Sequence, residues 1–121
     1  MYTHTKKILT AGTPIEQATG AMILLHGRGG SAEDILSLAD HLHVKGMALF
    51  APQATQHSWY PNSFISPARD NQPALDSALA VIDELVESII ASGITREHLY
   101  IAGFSQGACL TLEYSCRHAS R

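Results

Sequence analysis

The chain has 121 residues, 45% of them hydrophobic and 16% charged, with a formal net charge of −3. That length suits one domain and that composition a packed core, which excludes a disordered segment. The charges are scattered singly, so there is no basic stripe for nucleic acid and no acidic tail. No apolar run approaches the ~18 residues that cross a bilayer, and Met1 to Ile8 lacks the apolar stretch of a secretory leader. Cys109 and Cys116 are seven apart on one predicted helix. Their Cα atoms should lie roughly 10 Å apart, beyond disulfide reach. Two free thiols and no leader give a cytoplasmic protein as the expectation.

Residues 5–10 are a candidate N-terminal strand. The run 21–25 (Ala-Met-Ile-Leu-Leu) is continuously apolar, as expected of a strand buried on both faces. It ends in a glycine-rich turn, His26-Gly27-Arg28-Gly29-Gly30. Ser31 then opens a helix, with Asp34 three residues on, close to a capping box. Ile35, Leu38, Ala39 and Leu42 give this helix one apolar stripe. Residues 47–51 form the next apolar strand, stopped by Pro52. The polar-aromatic stretch 53–72 is long for a loop, and loops of this length are usually functional. Pro73 falls at the start of a second helix, whose face is Leu75, Leu79, Ile82, Val86 and Ile89, joined by Ala78, Leu85 and Ile90. Gly93 is its predicted C′ residue. Residues 99–103 (Leu-Tyr-Ile-Ala-Gly) are a further apolar strand, and a last helix is predicted from about 108 to 118. Alternating strands and helices imply right-handed crossovers and a parallel sheet with helices on both faces.

Gly103-Phe104-Ser105-Gln106-Gly107 matches Gly-x-Ser-x-Gly, placed between an apolar strand and a helix. That context is the one a nucleophilic serine needs, a sharp turn with the hydroxyl at its apex. Glycines two before and two after the serine remove side chains that would meet neighbouring backbone. The following helix N-terminus offers unpaired N–H groups to a developing oxyanion. The competing reading is an ordinary strand–turn–helix connection. The turn after the first parallel strand, 26–30, is where such a fold places one oxyanion donor, and the residue after the nucleophile supplies the other. The expected donors are the main-chain N–H groups of Arg28 and Gln106. Phosphate binding by this glycine-rich turn ranks low, because neither the Lys-Ser/Thr of a P-loop nor Gly-x-Gly-x-x-Gly is present. A tight turn without a chemical role is the structural alternative.

Leu24 to Ser31 (Leu-Leu-His-Gly-Arg-Gly-Gly-Ser), then Ala51-Pro52-Gln53-Ala54, Trp59-Tyr60 and Gly103 to Ala108 resemble the phospholipase/carboxylesterase family of α/β-hydrolases. This family includes acyl-protein thioesterases and bacterial carboxylesterases, and the resemblance runs from about residue 20 to the end. It implies the α/β-hydrolase fold and a cofactor-free Ser-His-Asp mechanism on an ester or thioester, through an acyl-enzyme. It implies Ser105 as nucleophile and Arg28 and Gln106 as oxyanion donors. His26, Gly27, Gly29, Gly103 and Gly107 would hold the two loops in place. Trp59, Tyr60 and Phe64 would line the substrate cleft, with packing onto the top of the sheet as the equal alternative.

The chain departs from the family where the acid and base belong. Both should follow the nucleophile, and only sixteen residues follow Ser105. Glu113 and His118 have the right order, but helical rise carries them roughly 12 and 20 Å from Ser105. A base must come within about 3 Å. His41 and His43 find no third metal ligand at a suitable spacing, so no metal is expected. His4 and His98 have no context that singles them out, and His57 is the one upstream histidine worth testing as a substitute base. The strand at 99–103 should be central in this fold, yet here it would form an exposed apolar edge. The expectation is the N-terminal part of a longer enzyme, with a homodimer as one way to cover that edge. A binding module that kept the fold without the chemistry is the alternative class. Peptidase and dienelactone-type chemistries rank below both, since the latter prefers cysteine at the position of Ser105.

Overall fold

The computed structural model describes residues 4, 7–39, 46–61 and 68–117. Among these residues four strands form one sheet: β1 (Ile8–Gly12), β2 (Gly20–Leu25), β3 (Met47–Pro52) and β4 (Leu99–Gly103). Their spatial order is β1-β3-β2-β4. β2 pairs in parallel with both β3 and β4, whereas β1 runs antiparallel to β3. The N-terminal strand is therefore real but shifted to 8–12, and it makes the sheet mixed. Pro52 ends β3 as its last paired residue, opposite Ile8.

Among the described residues, three α-helices cover the sheet: α1 (Ala32–Ala39), α2 (Ala74–Ala91) and α3 (Gln106–Arg117). The period of two in β2 divides its side chains between two cores. Ala21, Ile23 and Leu25 pack with α2 and α3 through Leu79, Ile82, Val86 and Leu110. Leu24, on the opposite face, packs with Leu49, Ala51 and the α1 residues Ala32 and Ile35. Helices thus lie on both faces, as the alternating pattern requires.

Local chemistry sets the helix ends. Ser31 caps α1, its Oγ accepting the Asp34 N–H at 3.1 Å. Gly93 follows α2 at φ 107°, a backbone conformation that costs glycine little, and its N–H reaches the Ile90 carbonyl. α1 differs from expectation in one respect. Leu38, assigned to its apolar stripe, is 48% exposed beside β4. Leu42, His41 and His43 lie outside the described residues.

β2 is the point at which strand order reverses. The chain leaves it through α1 to β3 on one side and returns through α2 to β4 on the other. Connections that diverge to opposite faces leave a crevice beyond the carboxyl ends of the strands between them. The two loops with candidate chemistry, after β2 and after β4, meet in that crevice.

Candidate active site

α3 begins at Gln106, two residues earlier than the periodicity predicts. Gly103 and Gly107 explain the difference. Gly107 reads as part of a turn but belongs to the first helical turn, because that turn is pressed against β2. A Cβ on Gly107 would strike the carbonyl oxygens of Leu25 and His26, and one on Gly103 would strike the Gly107 carbonyl and Ala108 N. With no side chains there, strand and helix meet at main-chain distance and the chain reverses within Phe104 and Ser105.

Ser105 takes the apex. Its φ is 59°, in the left-handed region that non-glycine residues avoid, and the residue is exposed. Its carbonyl accepts the Ala108 N–H at 2.9 Å, so the backbone is held from below while the side chain stands clear. Among the described residues its hydroxyl makes no hydrogen bond. Nor does the Gln106 N–H, the first donor of α3, have a partner among them. An exposed hydroxyl thus sits beside an open main-chain donor at the positive end of a helix.

The 26–30 loop lies directly against this turn. A Cβ on Gly27 would come within 3.1 Å of both the Phe104 carbonyl and Ser105 Cβ, so the absence of a side chain lets the loops touch. Gly29 takes φ 78°, and its N–H donates to the His57 carbonyl at 2.7 Å. Arg28 points its guanidinium back along the protein: Nη1 donates to the Pro61 carbonyl at 3.0 Å and to Ser58 Oγ at 3.3 Å.

His26 is buried and structural. Its Nε2 accepts the Ala54 N–H at 3.0 Å, which leaves the proton on Nδ1 to donate to the Gly27 carbonyl at 2.7 Å. Burial pushes its pKa below the usual 6.5, with the Gly27 bond opposing and the neighbouring His57 adding to the shift. The ring stacks on Trp59 at 5.1 Å. Trp59 in turn donates its indole N–H to the His26 carbonyl at 2.9 Å.

Trp59 and Tyr60 are packed inward. They are 0% and 3% exposed and belong to the core, which is the loop-packing alternative. Burial pushes the Tyr60 phenol up to about 12. The Gln106 side chain holds this segment from the helix side, its buried amide bonding to main-chain groups of both residues. Its Oε1 accepts the Trp59 N–H at 2.7 Å and its Nε2 donates to the Tyr60 carbonyl at 2.9 Å. Phe64 and His118 lie outside the described residues.

Two contributors escaped the sequence reading. His4 accepts the Thr55 N–H on Nδ1 at 3.0 Å and donates from Nε2 to the Trp59 carbonyl at 2.6 Å. Gln53 accepts the Ala32 N–H at 2.8 Å and so ties the start of α1 to the loop after β3. Nothing local marks His4, since its partners are more than fifty positions away. Gln53 did carry a signal, its place in Ala51-Pro52-Gln53-Ala54. His57 bonds through Nδ1 to the Gly30 carbonyl at 2.8 Å, an engagement that turns that nitrogen to loop support. Glu113 lies two turns along α3 from the serine.

This mixed sheet, with a serine turn at its switch point, is the architecture of an α/β-hydrolase. The chain belongs to the phospholipase/carboxylesterase family, whose model matches residues 7–120. It is similar to the crystal structure of a phospholipase/carboxylesterase from Dyadobacter fermentans DSM 18053. They share 58% identity with a TM-score of 0.95, over 98% of this chain and 56% of that one. Acyl-protein thioesterase 1 of Cryptococcus neoformans var. neoformans is 27% identical over 117 residues, 83% of this chain and 49% of that protein. The crystal structure of esterase PE8, at 21% identity and a TM-score of 0.70, shares the fold. The chain thus spans about half the length of each of these relatives.

Proposed function

We propose that this chain carries the nucleophilic half of a serine hydrolase of carboxylic esters or thioesters. Ser105 is the nucleophile, and the main-chain N–H groups of Arg28 and Gln106 bind the oxyanion. The observation that carries this is the exposed, left-handed Ser105 beside the open Gln106 N–H, held against the 26–30 loop. In the reaction Ser105 Oγ attacks the carbonyl carbon and its proton passes to a base. The carbonyl oxygen becomes an alkoxide at the two N–H groups, the alcohol or thiol leaves, and water later cleaves the acyl-serine. The relatives that support this reading are named as esterases and thioesterases, and they are about twice as long. Among the described residues no imidazole bonds to the Ser105 hydroxyl. Turnover by the 121-residue chain alone is therefore impaired in this reading, for want of the triad base and acid. The two free cysteines suit a reducing cytoplasmic setting.

A fluorophosphonate probe tests the assignment. Slow, stoichiometric labelling is expected, absent in Ser105→Ala and accelerated when free imidazole supplies a base. Labelling that persists in Ser105→Ala, or fails entirely with imidazole present, would remove Ser105 from the role. Fast labelling without imidazole would show that the chain does supply a base.

A further inference from the structure

The segment 57–61 lies along the 26–30 loop and is joined to it at several points. The Trp59 indole N–H reaches the His26 carbonyl, and Arg28 Nη1 reaches Ser58 Oγ and the Pro61 carbonyl. His57 bonds to the glycines, and does so twice. Its carbonyl accepts the Gly29 N–H at 2.7 Å, and its Nδ1 donates to the Gly30 carbonyl at 2.8 Å.

The glycines are the softest part of the loop. Gly27 to Gly30 closes as a turn, with the Gly30 N–H on the Gly27 carbonyl at 3.0 Å. Gly29 takes φ 78° and Arg28 does not have a positive φ, which makes the turn type II. Glycine accepts φ of either sign, so the peptide between Arg28 and Gly29 can flip unless its N–H is held. The His57 carbonyl holds it. The preceding peptide carries the Arg28 N–H, the donor assigned to the oxyanion, and the Gly27 carbonyl at its other end receives His26 Nδ1 at 2.7 Å. Arg28 Cα joins the two peptides, so movement of one is taken up by the other. The donor peptide is thus held from behind by His26 and from ahead by His57.

This brace is strained. Gln56 and His57 both take left-handed backbone, at φ 58° each, and neither is glycine. In that conformation Cβ crowds the following carbonyl oxygen. At His57 the crowding sets ring and carbonyl on one side, toward Gly29 and Gly30. Stability does not offset the strain, because His57 and Gly29 are exposed and a hydrogen bond exchanged with water adds little. Two strained residues that fix two surface glycines serve geometry and not folding.

We propose that His57 is a positioning residue for the oxyanion hole. It holds Gly29 and Gly30 so that the Arg28 N–H stays aimed at the developing alkoxide. It acts through the loop and not on the substrate. The inference rests on the role assigned above to the Arg28 N–H.

Three substitutions separate the parts of the brace. His57→Ala removes the ring bond and keeps the strain. His57→Gly removes both. His57→Asn keeps a side-chain donor on a residue that tolerates left-handed backbone. The rate of Ser105 labelling by a fluorophosphonate, with free imidazole present, reads the hole, because the phosphoryl oxygen takes the place of the alkoxide. Deleting an oxyanion donor costs about 10²–10³-fold, so displacing one should cost less, about 10-fold. Expected are maximal labelling rates about 10-fold lower in His57→Ala and His57→Gly, with recovery in His57→Asn. The half-saturating probe concentration and the urea midpoint should stay near the parent's. A second readout needs no chemistry: in nuclear magnetic resonance spectra of protein isotopically labelled at glycine, the Gly29 and Gly30 amides should shift and broaden in His57→Ala and return in His57→Asn. Parent-like labelling in His57→Ala, parent-like glycine signals, or a rate lost in step with the urea midpoint would each overturn the proposal. A parent chain that does not label, or labels equally in Ser105→Ala, would overturn the nucleophile assignment and the positioning role with it. The glycine spectra would then still tell whether the brace itself exists.

Discussion

The side chain of Gln106 joins the serine turn to the loop at 58–60, and removing it should release that loop. Gln106→Ala deletes the acceptor of the Trp59 N–H and the donor to the Tyr60 carbonyl. Both main-chain groups are buried, with Trp59 at 0% and Tyr60 at 3% exposure. An unsatisfied buried polar group costs about 1–3 kcal/mol, so two cost about 2–6 kcal/mol unless water enters. Gln106→Glu keeps the acceptor for Trp59 but sets a carboxylate oxygen against the Tyr60 carbonyl, and protonation at low pH restores a donor. Trp59 is the sole tryptophan, so its emission reports on the loop directly. Expected are a red shift and a lower urea midpoint for Gln106→Ala, and a defect in Gln106→Glu that lessens as pH falls. An emission maximum and midpoint equal to the parent's for Gln106→Ala would refute the clamp.

Gly107→Ala should destabilise by about 3 kcal/mol or more, since the colliding atoms are main-chain carbonyls that cannot rotate away. Gly29→Ala, with open space around it and a φ of 78°, should cost only ~1 kcal/mol. Equal urea midpoints for these two variants would contradict the close approach of α3 to β2. His4 and His26 are both held below their ordinary pKa, first by burial. The unfolded chain therefore takes up protons first, and stability falls as pH drops below about 6.5. A midpoint that rises between pH 7.5 and 5.5 would show the opposite sign. In an alkaline absorbance titration, Tyr60 should ionise only near 12, and Tyr60→Phe should abolish that late step.

Elements whose residues carry their own instructions were legible in the sequence. β2, β3 and β4 are apolar runs bounded by glycine or proline, and α2 shows a helical stripe that the structure buries from Leu75 to Ile89. Ser31 and Gly93 mark helix ends by local chemistry, and both do so in the structure. Periodicity puts the start of α3 two residues late, because Gly107 looks like a turn residue. Only contact with the Leu25 and His26 carbonyls reveals that its missing side chain serves helix-to-strand packing. Leu38 fits a stripe by spacing, yet it is 48% exposed beside β4, because burial depends on what lies opposite.

The sequence by itself determined the family, the strand–turn–helix setting of Ser105 and the two glycine-rich loops, since each depends on residues adjacent in the chain. Tertiary structure decided what those residues touch. It put Trp59 and Tyr60 in the core, tied to Gln106 across more than forty positions. It recruited His4, which no local pattern marks, and aimed the Arg28 guanidinium at the 58–61 segment. Hydrogen bonds and close contacts between distant segments exist only after the sheet has formed, so chain order carries no direct trace of them.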